Sequence, residues 1–320
     1  MAHLLYDMEY LFGINQVDPV DVLQLTISDE ICLGNFLPIR WAINNSKVVN
    51  ISDVIRYGHI GCLKYLYQEG YMFDESTCYI AAFYGQLEIL KYLHEEGCLW
   101  NEETCMRAAM NGHLDCLIYA HENGCPWDPK TCEKAAMNGH LDCLIYAHEN
   151  GCPWNNRTWI AAVKSKSSSI LQYLHENGCL WDERVCRFAA MNGYLDSLIY
   201  LHEIGCPWSV HSMNAAAANG RLDCLKYLHK EGCPVDKYVC DAAAFSGQLV
   251  CLKYLHNHNF PWSWKTLKVA SQSGHLDCIK YLIREGCPWN ELALDMAARN
   301  GHLDCLDYLR STASLSLRRL

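Results

Sequence analysis

No run of apolar residues in this 320-residue chain approaches the roughly 18 needed to span a bilayer. No cluster of basic residues occurs either: 26 Lys+Arg are outnumbered by 36 Asp+Glu, for a formal charge of -10. A protein that works by neutralising phosphates carries the opposite sign, so nucleic acid is not expected as a partner. The strings Gly-x-x-x-x-Gly-Lys-Ser/Thr and His-Glu-x-x-His are missing. Catalysis needs a singular, asymmetric constellation, whereas Cys, His and acids come here in repeated copies. The chain is therefore expected to be no enzyme and to hold no cofactor and no metal. Met1 to Glu9 places acids where a secretory signal would place bases, so a cytoplasmic location is expected. What is present is 51% apolar and 11% aromatic residues, enough to bury a core.

The order in this sequence is periodic. Gly58, Gly85, Gly112, Gly139, Gly193, Gly220, Gly247, Gly274 and Gly301 recur every 27 residues, with one gap of 54 whose midpoint is Lys166. Around Lys166 the neighbouring columns keep register, so ten units run over residues 47–310 without an insertion. The strings from Ala108 to Trp127 and from Ala135 to Trp154 are identical, which reads as a tandem duplication.

Each column has a physical reading. Asp74, Asn101, Asp128, Asn155, Asp182, Ser209, Asp236, Ser263 and Asn290 can accept a bond from an orphan N–H and are expected to start a first helix. Seven residues on stands an alanine in all nine units, from Ala81 to Ala297, which implies helices too close for a larger side chain. The aligned glycine ends that helix, because a left-handed cap disfavours a Cβ. A second helix follows, for example from Leu114 to Asn123, with an apolar stripe broad enough for a sandwiched element. It closes on a second glycine column, in which Asn259 stands once as the other residue that tolerates αL. Trp100, Trp127, Trp154, Trp181, Trp208, Trp262 and Trp289 lie in the links and are expected to wedge between repeats.

The strings Ala297-Ala298-Arg299-Asn300-Gly301-His302-Leu303-Asp304 and Leu276-Asp277-Cys278-Ile279-Lys280-Tyr281-Leu282 resemble the two helices of an ankyrin repeat. The resemblance covers residues 47–310. It departs in two ways: the Thr-Pro-Leu-His opening is absent, residues 130–133 reading Lys-Thr-Cys-Glu, and the unit is shorter than the usual ~33 residues. The loss falls in the link that forms a β-hairpin in that family. The shortened form with Gly-Cys-Pro-Trp links is similar to ankyrin proteins of large DNA viruses of amoebae. The implied fold is all-α, an ankyrin-like solenoid of stacked helix pairs with short links and little or no β-hairpin. Residues 1–46 are expected to form a capping segment and residues 311–320 a flexible tail.

The resemblance implies a monomeric scaffold that binds another protein, such as one of a host, on its concave face. It places the contact positions at the two residues before each first-helix glycine: Phe83, Tyr84, Met110, Asn111, Met137, Asn138, Lys164, Met191, Asn192, Asn219, Phe245, Gln272, Arg299 and Asn300. Two alternatives are an adaptor that recruits a ubiquitin ligase through residues 1–46, and a Cys/His scaffold that responds to metal or redox state. Against the second, cysteines of one column sit on helices about 8–10 Å apart, too far for a disulfide and too dispersed for zinc, while a cross-column site such as His121 with Cys125 stays open. They are expected to be small buried apolar side chains. Histidines after the first glycine (His59, His113, His140, His275, His302) are expected to help the turn, and those ending helix two (His94 to His256) to face the C-terminal dipole. In the fifth unit Lys164 to Ser169 replaces the glycine turn, a weak point if Lys166 is forced into αL.

Overall fold

The computed structural model describes residues 50–317, and these contain twenty helices and no strand. The acidic segment 1–46, with its expected capping and ligase-recruiting roles, lies outside the described residues. The chain forms two compact units. The first, residues 50–154, holds α1 Ile51–Arg56, α2 Ile60–Gln68, α3 Glu75–Phe83, α4 Leu87–Glu95, α5 Glu102–Met110, α6 Leu114–Glu122, α7 Pro129–Asn138 and α8 Leu141–Glu149. The second, residues 155–317, holds α9 Asn156–Ser165, α10 Ser168–Glu176, α11 Glu183–Asn192, α12 Leu195–Glu203, α13 Val210–Ala218 and α14 Leu222–Lys230. It continues through α15 Val239–Phe245, α16 Leu249–Asn257, α17 Trp264–Gln272, α18 Leu276–Arg284, α19 Leu292–Arg299 and α20 Leu303–Leu317.

Within each unit the odd helices pack on one another and the even helices form a second layer against them. Repeating antiparallel pairs of this kind can bury an apolar face only by stacking, the logic of a solenoid. The odd layer is the tighter, and the alanine column explains it. All nine members, Ala81, Ala108, Ala135, Ala162, Ala189, Ala216, Ala243, Ala270 and Ala297, are fully buried.

Helix starts follow the expected caps in most repeats. The side chains of Asp74, Asn101, Asp128, Asn155, Asp182, Ser209 and Ser263 each accept from an N–H of the first turn. Asp236 and Asn290 depart from this. Their side chains accept from Tyr238 N and Leu292 N at 2.9 and 2.8 Å, but the helices begin only at Val239 and Leu292. Even helices end in a Schellman motif, seen where Cys98 N donates to Leu93 O and Gly97 N to His94 O. The closing residue must take positive φ, and Asn259 does so at 61°. At the end of the chain Ala313 stands where that column requires glycine, and α20 continues through Leu317, past the repeat boundary at 310.

The tryptophans and the second histidine column turn out to work together. Six His–Trp pairs spaced six residues apart stack face to face, with centroids 3.6–5.2 Å apart: His94–Trp100, His121–Trp127, His148–Trp154, His175–Trp181, His202–Trp208 and His256–Trp262. Tyr67 and Phe73 stack in the same way in the first repeat. The Nδ1 of His94, His121, His202 and His256, and of His229 in the repeat without a tryptophan, bonds the Tyr Oη of the next even helix, as in His121–Tyr146 at 3.0 Å and His202–Tyr227 at 2.8 Å. This histidine lies in the last turn of its helix, as expected, and the stack gives it an aromatic role that was not expected. The tryptophan stacks within its own repeat, with its edge toward the next tyrosine.

Burial holds His59, His113, His148 and His229 below the ordinary histidine pKa of 6.5. The sign of the pH dependence follows. Folded rings stay neutral at pH values where the unfolded chain binds protons, so stability is complete above about pH 6.5 and falls as pH drops below it. Thermal unfolding in matched buffers should give a lower midpoint at about pH 5.5 than at about pH 7.5. Equal midpoints would contradict this.

The fifth repeat opens the second unit and breaks two columns at once. Lys166 takes φ 59°, the left-handed conformation inferred from its register, at a cost of roughly 1 kcal/mol. Trp159 occupies the position held by Cys186 and Cys240 in later repeats, and it is fully buried. Its Nε1 donates to Cys179 O at 2.9 Å, where Cys186 makes only a long Sγ contact to Cys206 O at 3.7 Å. The larger ring also meets Trp181 edge-on at 4.9 Å, which draws that indole away from His175 and leaves their stack the widest of the six, at 5.2 Å.

Candidate partner-binding surface

The fourteen residues expected to make contacts occupy the last turn of the odd helices and the residues just before the turn. None is buried. Asn138, Lys164, Met191, Asn219, Phe245, Gln272, Arg299 and Asn300 are exposed, while Phe83, Tyr84, Met110, Asn111, Met137 and Asn192 are half-buried. In the first unit α3, α5 and α7 bring Phe83, Met110 and Met137 to one position on successive packed helices. In the second, α9, α11, α13, α15, α17 and α19 do the same for Lys164, Met191, Ala218, Phe245, Gln272 and Arg299.

The turn behind this row connects neighbouring repeats, a feature the sequence reading assigned only to the local turn. His113 Nε2 donates to Phe83 O at 3.1 Å, thirty residues earlier. His302 does the same to Gln272 O at 3.1 Å, Gln86 Nε2 to Arg56 O at 3.1 Å, and Arg221 Nε to Met191 O at 3.2 Å. The imidazole of His113 lies so close to Gly85 that a Cβ there would stand 2.5 Å from it. That glycine is thus required by the next repeat as well as by its own φ of 71°. Because each of these carbonyls is engaged from behind, the backbone of the row is fixed and its side chains are left to face outward.

The two columns of the row differ in role. Asn111, Asn138, Asn192, Asn219 and Asn300 each turn Nδ2 back onto the carbonyl four residues earlier, at 2.8–3.3 Å. These amides satisfy helix-end acceptors that would otherwise need water. They are occupied with their own helix, whereas the variable column one residue earlier holds Phe83, Met110, Met137, Lys164, Met191, Phe245, Gln272 and Arg299. At its start the surface is aromatic. Phe83 meets Tyr84 edge-on at 5.0 Å, and Arg107, paired with Glu103 at 3.2 Å, lies over Phe83 and Tyr79 at 6.0 and 5.7 Å. Tyr79 and Arg107 were not among the expected contacts. Met191 and Phe245, 38% and 50% exposed, are the open apolar side chains of the second unit's row.

Cysteine behaves as small core. None of the nineteen described cysteines forms a disulfide, all but Cys98 are buried, and no group of three or more His, Cys, Asp or Glu among the described residues could hold a metal ion. Burial pushes the thiols of Cys62, Cys224 and Cys251 up to about 11 and those of Cys116, Cys143 and Cys240 up to about 12. Cys98 differs. It is half-buried, and a hydrogen bond from the Cys78 thiol holds its pKa below the ordinary value, as one from Cys105 does for the buried Cys125. Thiolate fraction and access together set reactivity. Limiting alkylation of the folded protein, read by peptide mapping, should therefore label Cys98 before any other described cysteine. Earlier labelling of Cys116 or Cys143 would show that the layers open more readily than their burial implies.

No helix among the described residues is long and apolar enough to cross a membrane. None of the curated proteins compared matches the chain. Residues 239–318, which run from the start of α15 beyond α20, match the family model for ankyrin repeats in three copies. The periodic helix pairs are thus ankyrin repeats where that model matches them, and an array of such repeats indicates a module for protein–protein interaction.

Proposed function

We propose that this chain is a non-catalytic interaction scaffold that captures a partner protein on the row at the ends of its odd helices, the concave face expected of the family. The observation that carries this reading is a contrast between adjacent columns. The alanine column is buried throughout and broken only by Val54 in the first unit, the glycine column is broken only by Lys166, and between them runs a column that is never buried and changes from Phe to Met, Lys, Gln and Arg. A column free of packing duty but fixed in position can be given a different chemistry at each step. Aromatic and methionine side chains among them suit the centre of an interface, where truncation typically costs most.

The test places charge in the row of each unit separately. Met137→Glu and Met191→Glu should each weaken partner capture at least tenfold, because an interface that buries a carboxylate without a counter-charge loses well over ~1.4 kcal/mol. Helicity should stay intact, since neither side chain is buried. Unchanged capture by both variants would retire the row as the binding surface. The range 1–46 keeps its proposed capping role, and residues 47–310 remain the proposed extent of the array.

A further inference from the structure

One repeat of the second unit lacks the indole that its neighbours stack on histidine. At the position six residues after His229 stands Val235, where Trp208 and Trp262 occupy the same place in the repeats before and after. His229 itself is oriented as in those repeats, with Nδ1 bonded to Tyr254 Oη at 2.9 Å against 2.8 Å in His202–Tyr227 and 2.9 Å in His256–Tyr281. The valine fills little of the space, and a cavity of about 350 Å³ opens to solvent there. That volume is at the lower end of the roughly 300–1,000 Å³ range of ligand pockets. Its walls include His229, Val235, His258, Phe260 and Pro261, and Asp236 and Lys237 also line it. His258 and Phe260 meet His229 edge-on, at 5.2 and 4.9 Å, so neither replaces the missing face-to-face stack. Val235 is 40% exposed at the mouth.

We infer that this notch is a second interaction site, which receives an aromatic side chain of a partner polypeptide stacked on the His229 ring. Its occupant is argued from the molecule itself. The equivalent histidines His202 and His256 hold indoles at 3.9 and 3.8 Å with their planes within 23° of parallel, so the cradle is built for a flat ring. The rim favours a peptide-borne ring over a free amino acid. The Asp236 carboxylate already accepts from Asn214 Nδ2 at 3.2–3.3 Å and from Tyr238 N at 2.9 Å, and the Lys237 ammonium lies over the Tyr238 ring at 5.2 Å. Both charged side chains at the mouth are thus engaged within the chain, and an uncharged peptide-borne ring need not compete for them. The site is independent of the row at the odd-helix ends, and Met191→Glu should leave it unaltered.

The test uses the full-length chain with ¹³C-labelled methyl groups and histidine rings, titrated with N-acetyl-L-tryptophanamide. Saturable shifts are expected at the Val235 methyls and at the His229 and His258 rings, with free L-tryptophan binding no more tightly and N-acetyl-L-leucinamide at least tenfold more weakly. Val235→Trp should fill the notch from within, abolish these shifts and raise the melting temperature. The proposal is overturned if the leucine amide binds equally well, if free tryptophan binds tenfold more tightly, if no shift is seen, or if Val235→Trp lowers the melting temperature.

Discussion

Replacing Trp159 by alanine is expected to destabilise the protein by about 3–5 kcal/mol, the range for deleting a large aromatic side chain from a close-packed site. Trp159 is the bulkiest of the fully buried side chains among the described residues, and from α9 it reaches Cys179 O beyond α10. Removal leaves a cavity, an unpaired buried carbonyl at Cys179 and a Trp181 ring without its edge contact. Trp159→Phe keeps an aromatic ring but loses the Nε1–H bond and part of the indole volume, and about 1–3 kcal/mol is expected. Denaturant unfolding of the three proteins should rank wild type above the phenylalanine variant and that above the alanine variant. A loss below 1 kcal/mol for Trp159→Ala would mean that the repeat relaxes to the spacing of its cysteine-bearing neighbours, and that the tryptophan is tolerated there without supporting the stack.

The second large effect concerns the alanine column. Ala216→Leu adds three carbons between α13 and its neighbours α11 and α15, at a site with no exposed surface. Overpacking of this kind costs typically about 1–3 kcal/mol and occasionally more. In a solenoid the loss falls on the coupling between adjacent repeats, so unfolding should also become less cooperative. Ala218→Leu, two residues on in the same helix, is the matched control. Its side chain lies in the open row, and a change within about 0.5 kcal/mol is expected. Similar losses for the two variants would show that helix propensity, rather than close approach, selects alanine here.

The periodic part of this fold was legible in the sequence because each element is local. A cap acts within three residues, a left-handed turn within one, and an alanine column reports the same neighbour in each repeat. Lys166 and Asn259 were placed in αL from register alone and are found there, at φ 59° and 61°. Features that join one repeat to the next were not legible as such. The bond from His113 to Phe83 O spans thirty residues, and nothing in a single unit distinguishes a histidine that shapes its own turn from one that reaches into the preceding one. The six-residue spacing of histidine and tryptophan was visible but was divided between a dipole role and a wedge role, since the stack depends on how the link folds back. The asparagine column held a local signal that was missed: an amide four residues after a free helix-end carbonyl can bond it. The late starts of α15 and α19 have no visible cause in their caps, because Asp236 and Asn290 are as competent as their counterparts.

The binding row is best tested by a photo-crosslinking amino acid placed at one position at a time. At residue 137, in the open column of α7, irradiation in cell extract should yield a covalent adduct with a partner protein. At residue 149, exposed at the end of α8 in the other layer, it should yield none. An adduct at 149 and none at 137 would put the partner on the even helices and contradict the account.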